Sequence, residues 1–174
     1  MKSPIIKTAN YILRPFKAED AYLWQVWDVD QEVQAHMPEP ENTPQDIKEQ
    51  YEYIKDCELD SEGYYFSIET NSGVTIGTIS LFEINEHHKT AELGMLIGDK
   101  AYWGKGVATE VVKALIDYAF KNLKIKYISA EIESGNIGMQ KVLENSGFVS
   151  DGVFKGARVK GGKRIDVVHF SRVS

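Results

Sequence analysis

Cysteine is almost absent from this chain. Cys57 is the single one in 174 residues, which excludes an internal disulfide and a cysteine-built metal centre. An ordinary thiol in a helix is the expectation for it. No apolar run approaches the roughly 20 residues that cross a bilayer. The opening MKSPIIKTANYILRPF also lacks the apolar core and small-residue cleavage site of a secretory leader, so a cytoplasmic protein with no membrane partner is expected. Positive charge is the scarcer sign, 20 Lys and Arg against 26 Asp and Glu. A nucleic-acid partner, which calls for a basic face, is therefore not expected. Repeats, low-complexity tracts and Pro/Gly/Ser-rich linkers are missing too, and this points to one domain over residues 1–174.

What is present is ordinary in bulk: 43% hydrophobic and 26% charged residues, as in soluble globular chains. The distribution is less even. Residues 1–60 carry 6 Lys and Arg against 13 Asp and Glu, whereas residues 61–174 carry 14 against 13. An acidic front suits a cationic partner, or equally helices with solvated acidic faces.

Residues 10–16, NYILRPF, read as a first strand. The stretch 17–30 reads as a helix with Leu23, Val26 and Trp27 at i, i+3, i+4 spacing. A second helix over 43–59 has Thr43 as expected N-cap, Pro44 at its first position, and Ile47, Tyr51, Ile54 and Leu59 as its stripe. The period then changes. YYFSIET and VTIGTISLFEI, separated by NSG, form a hairpin, and NEHHK turns into a third strand, TAELGMLIG. Val107, Val111, Val112, Leu115, Ala119 and Phe120 mark a helix with one buried face. IKYISAEIE is a strand, GNIGMQKVLENSGF a short helix stopped by Gly147, and two final strands flank the turn KGGK at 160–163. The order β-α-α-β-β-β-α-β-α-β-β describes an α/β fold, a mixed sheet with helices packed on it.

The chemistry concentrates at AYWGKGVATE, residues 101–110. Two glycines around one lysine, entering a helix, form a turn suited to an anion at the helix start. A Walker loop would need Lys-Ser/Thr after the second glycine, and Val107 stands there. A dinucleotide fingerprint would need a glycine at Thr109 and a βαβ unit at the front of the domain. Glu131 or Glu133, at the end of the next strand, would fit its ribose-binding acid. The third candidate is the pyrophosphate turn of coenzyme A-dependent acyltransferases.

The string ELGMLIG–DKAYWGKGVATE, followed by GN and KVLENSGF, resembles the GNAT N-acetyltransferase superfamily. Within that superfamily it is similar to the branch of ribosomal-protein N-terminal acetyltransferases (RimJ/RimL-like), to which the early LRPF-x-x-ED also belongs. The resemblance spans residues 10–170. It implies a GNAT fold, a mostly antiparallel seven-stranded sheet splayed at its centre with about four helices on its faces, and acetyl-CoA as cosubstrate with no metal. Backbone N–H groups at residues 104–109 would bind the pyrophosphate, so Gly104, Lys105, Gly106, Val107, Ala108 and Thr109 are candidate cofactor residues. Lys105 is otherwise a solvated turn lysine. Main-chain groups of Met95, Leu96 and Ile97 would pair with the pantetheine arm, threaded into the splay as a pseudo-strand, and Gly94 would relax that strand. Asn136 falls where the family places an Asn near the pantetheine, and it is also a good helix cap. Met139 sits near the thioester position. Three departures stand out: Ala101 where many members carry Gln or Arg, Met139 where a Ser is frequent, and Leu143 where others use a tyrosine to protonate the leaving thiolate.

The resemblance implies direct acetyl transfer to a primary amine, on a small molecule or at a protein N-terminus. An N–H near Leu96 or Ile97 would receive the oxyanion. Glu92 is the candidate base, with Glu131 and Glu133 in reserve; the alternative for Glu92 is a carboxylate paired with Lys or Arg at the edge of the core. Trp24, Trp27, Met37, Phe82 and Glu133 are candidate acceptor contacts, as are Tyr65, Phe66 and His36, under a loop at 35–44. Each aromatic is also a core candidate. Tyr118, Lys141 and Arg158 are candidates for the adenosine phosphates. His87-His88 reads as a plain turn. The final hairpin offers a surface for a homodimer. A second function class shares the fold: a non-catalytic acyl-CoA-binding sensor or interaction protein, supported by Met139 and the missing tyrosine.

Overall fold

Side-chain alternation sets up the sheet. In 64–70 the residues Tyr64, Phe66 and Ile68 enter one hydrophobic cluster while Tyr65 packs against another, so this strand has helices on both its faces. The computed structural model describes residues 3–38 and 46–174. Its elements in chain order are β1 (Ile6–Lys7), β2 (Tyr11–Arg14), α1 (Asp20–Val29), α2 (Ile47–Leu59), β3 (Tyr64–Thr70), β4 (Thr75–Asn85) and β5 (Thr90–Ile97). Then follow α3 (Val107–Tyr118), β6 (Tyr127–Glu133), α4 (Ile137–Asn145), β7 (Val149–Lys160) and β8 (Lys163–Val173).

The strands form one sheet in the order β1-β2-β3-β4-β5-β6-β8-β7. Every neighbouring pair is antiparallel except β5 and β6. The count is eight rather than the expected seven, because a two-residue strand too short to show a period caps the edge at β1. Val111, Val112, Leu115 and Ile116 of α3 and Leu143 of α4 pack with Met95, Ile97 and Ile128 on one face. Trp24 and Trp27 of α1 and Ile54 and Cys57 of α2 pack with Tyr65 and Leu96 on the other.

Three local expectations are corrected. The buried face of α1 is Asp20, Ala21, Trp24 and Trp27, while Val26 is exposed. The reason is polar: the Asp20 carboxylate receives Arg14 at 2.8 Å through both oxygens, Ser67 Oγ at 2.6 Å and the Lys17 N–H at 2.9 Å. That network turns the helix by one position. In α2 the buried residues are Gln50, Ile54 and Cys57, and Leu59 at the helix end is 82% exposed. The α2 cap is Asp46, whose side chain accepts from the N–H groups of Lys48 and Glu49; Thr43 and Pro44 lie outside the described residues.

Candidate functional site

The glycine turn has the backbone its sequence demands. Gly104 and Gly106 take φ of 70° and 80°, the left-handed region that costs other residues about 1 kcal/mol or more. Gly106 is the N-cap of α3 and supplies no side-chain cap. The first N–H groups of the helix are therefore left for an external acceptor, with the positive end of the helix dipole behind them. Lys105 is exposed, its Nζ 5.5 Å from the Tyr102 ring centroid. Glu110, at the same end of α3, accepts from Thr8 Oγ1, the Asn10 N–H and Asn10 Nδ2 at 2.6–2.9 Å. It fastens the β1–β2 turn to the helix and so fixes the helix start.

The central strands part as the resemblance implies. β5 and β6 pair only at Thr90–Tyr127, Ala91–Ile128 and Glu92–Ser129. From Leu93 onward the inner edge of β5 is unpaired by β6. The Gly98 N–H donates to Ile76 O, and Gly77 stands opposite Ile97. By antiparallel alternation this makes Gly77–Ile97 a non-hydrogen-bonded pair. Leu93, Met95 and Ile97 thus present their N–H and C=O groups to the gap, while Leu96 spends its backbone groups on β4. The Ile97 carbonyl already accepts from the Trp103 indole at 2.8 Å, which ties the glycine turn to the end of the open strand. An edge of free main-chain groups leading to an uncapped helix start fits an extended amide-bearing chain that ends in a pyrophosphate.

A cleft of about 690 Å³ opens at the splay and runs beneath α1 and α2. Glu92, Met95, Leu96, Asn136 and Met139 line it together, as do Trp24, Trp27, Met37 and Phe82. Asn136 caps α4, its Oδ1 accepting from the Met139 N–H at 3.0 Å. Phe82 stands opposite Glu92 in the ladder. Its ring lies over Gly94, where a Cβ would meet it at 3.0 Å. Gly98 similarly admits the Trp27 ring, which a Cβ would overlap.

Glu92 is half-buried and has no hydrogen-bond or ion-pair partner among the described residues. Burial pushes its carboxyl above the ordinary range, Glu131 and Glu83 push it further, and His169 and Arg158 oppose them. A carboxyl raised in this way is closer to neutral pH and better suited to proton transfer. The paired carboxylate is Glu131 instead, 3.5 Å from Arg158.

Other candidates fall elsewhere. Glu133 does not line the cleft. It is buried, with Lys160 Nζ at 3.0 Å and His36 Nδ1 at 3.6 Å. The same lysine donates to the carbonyls of Ala35 and Met37 at 2.6 and 2.8 Å. Tyr118 meets Tyr64 edge-to-face at the far end of α3, about 16 Å from the helix start at 1.5 Å per residue. Arg158 lines the cleft beside Glu131, and Lys141 is exposed on α4. Phe66 is wholly buried in the main core. His87 and His88 meet edge-to-face, and no group of three or more His, Cys, Asp or Glu placed to hold a metal ion gathers among the described residues. The Cys57 thiol is buried and pushed up to about 11. Sequence reasoning missed Asp28, Gln50 and Tyr53 on the cleft wall. Asp28 follows Trp24 by one helical turn, which was the available signal.

The acetyltransferase (GNAT) domain model matches residues 10–149. An uncharacterized N-acetyltransferase, p20, of Bacillus licheniformis is 34% identical over 94% of this chain and 93% of its own length. The spermidine N(1)-acetyltransferase of Vibrio cholerae is 31% identical over 50% of each chain. Among solved structures, RimL, a ribosomal L7/L12 α-N-protein acetyltransferase in complex with coenzyme A, superposes with a TM-score of 0.87 over 98% of both chains at 18% identity. The chain belongs to the GNAT acetyltransferase family of acetyl-CoA-dependent enzymes.

Proposed function

We propose that this chain transfers the acetyl group of acetyl-CoA directly to a primary amine, with Glu92 as the base. The single observation that carries the reading is a half-buried carboxylate without a partner among the described residues, placed where the sheet opens. It stands immediately before the free main-chain edge of β5, from Leu93 onward, that would carry the pantetheine arm. Glu92 accepts a proton from the incoming ammonium, directly or through a water. The neutral amine nitrogen then forms its bond to the thioester carbonyl carbon, the C–S bond breaks, and the second proton lost from that nitrogen as the amide forms passes, directly or through water, to the leaving thiolate. Acetyl-CoA supplies the activated acyl group; the chain supplies position and charge. The N–H groups of Met95 and Ile97 are the available donors for the oxyanion, since those of Leu96 face β4. With Leu143 where a tyrosine would stand, no side chain is assigned as acid to the thiolate.

The relatives named above act on spermidine and on a ribosomal protein, and this supports an amine acceptor without choosing between small molecule and protein. The test is thiol release from acetyl-CoA across amines of several classes, alongside calorimetric titration with acetyl-CoA. Turnover with at least one amine class is expected. Tight acetyl-CoA binding without turnover on any amine would favour the acyl-CoA sensor instead.

A further inference from the structure

The cleft has a second end that the transfer reaction itself does not use. Away from Glu92, beneath α1 and α2, it is walled by Phe16, Trp24, Trp27, Tyr53 and Tyr65. Among these rings stands one carboxylate, Asp28. One of its oxygens accepts from Gln50 Nε2 at 2.5 Å, and Gln50 is itself 2% exposed. The other has no partner among the described residues, and no cation pairs with the group.

As a structural element Asp28 is badly placed. It lies in the last turn of α1, where the helix dipole disfavours an anion, and that turn carries no basic residue. Burial pushes its carboxyl up, only partly offset by Gln50. The fold gains little from an acid here, yet it buries a glutamine to hold that acid in place. Aromatic faces around an unpaired carboxylate form a site for an organic cation, which gains from both the charge and the ring quadrupoles. A monoamine has no group to place there once its only nitrogen is at Glu92.

We propose that Asp28 and the surrounding rings bind a second, non-reacting ammonium of the acceptor, so that the acceptor class is a linear alkyl diamine or polyamine. This rests on the transferase reading above and names the substrate of that same cleft. The distal ammonium anchors at Asp28 while the reacting amine, at the other end of the chain, loses its proton to Glu92.

The test compares 1,4-diaminobutane, a longer triamine, n-butylamine and an N-terminal peptide as acceptors for the wild-type protein and for Asp28→Asn, which keeps the shape and an acceptor for Gln50. The expected result is a kcat/KM for the diamine or triamine at least tenfold above that for butylamine. In Asp28→Asn this preference falls at least tenfold, chiefly through KM. Calorimetry of the diamine with the protein and coenzyme A gives a readout independent of turnover, with affinity expected to fall at least tenfold in the variant. Equal kcat/KM for diamine and butylamine, an unchanged preference in Asp28→Asn, or a peptide preferred over every diamine overturns the proposal. If no amine is acetylated, the transferase reading fails, and diamine binding lost in Asp28→Asn still upholds the subsite; diamine binding absent or unchanged rejects it.

Discussion

A half-buried carboxylate without a partner among the described residues is costly to fold around, and Glu92 is an example. Its carboxyl is raised by burial first and by Glu131 and Glu83 second. A carboxyl raised on folding binds its proton more tightly in the native than in the unfolded chain. Its presence therefore lowers stability as pH rises through that raised value. Glu92→Gln removes the charge with little change of shape. The expected outcome is a loss of turnover of about 10²-fold or more, together with a melting temperature at neutral pH equal to or above that of the wild type. In the wild type, activity rises with pH through a value above the ordinary glutamate range, and in Glu92→Gln that limb disappears. A pH–rate profile and a thermal melt check both halves. A fall in stability with unchanged turnover would instead make Glu92 a structural residue.

Helix α1 shows why part of the fold was not legible in its sequence. Hydrophobic spacing alone permits two faces, one through Leu23 and Val26 and one through Ala21 and Trp24, because both recur at three and four residues. The decision is made by Asp20, 2% exposed, and Arg14, 7% exposed, a pair that hydrophobic periodicity does not register. Gln50 and Leu59 in α2 repeat the lesson, the first buried through its bond to Asp28 and the second exposed at the helix end. The glycine turn and α4 were legible because their signals are local: glycines at 104 and 106 that take positive φ, a cap at Asn136, a stop at Gly147; the splay of the central strands has no local signal and was implied by the family resemblance. Burial alone would raise the Asp20 carboxyl, but hydrogen bonds from Arg14, Ser67 and the Lys17 N–H outweigh it and hold it below the ordinary range. Its stabilising contribution is thus complete above a pH of about 4 and is lost as pH falls through its lowered value. Asp20→Asn should cost about 2 kcal/mol at neutral pH, by taking the charge from the two Arg14 hydrogen bonds while Glu69 still pairs with the guanidinium. The loss should shrink towards the acid limit. Urea unfolding at several pH values measures both.

At the scale of the whole molecule, the cleft draws on segments far apart in the chain, from Phe16 to Arg158. Lys160, next to the turn of the last hairpin, holds carbonyls of the segment after α1 across separations of 123 to 126 residues. No motif marks such a contact, because it depends on where the hairpin tip lands. Strand β6 has an equally remote dependence. It meets β5 at three residue pairs but β8 at seven, from Tyr127–Val173 to Glu133–Val167. Contacts of such separation form late, after the loop-closure entropy has been met. During synthesis the anion turn, α3 and the open edge of β5 all emerge well before β8, yet the wall opposite them has almost no sheet to join until residues 163–173 arrive. A chain ending at Lys160 should retain every residue assigned to the coenzyme and still fail to bind it, as titration with acetyl-CoA would reveal. The gap between β5 and β6 is therefore also a checkpoint in time: the protein becomes competent to hold its acyl donor only once its last strand has been inserted.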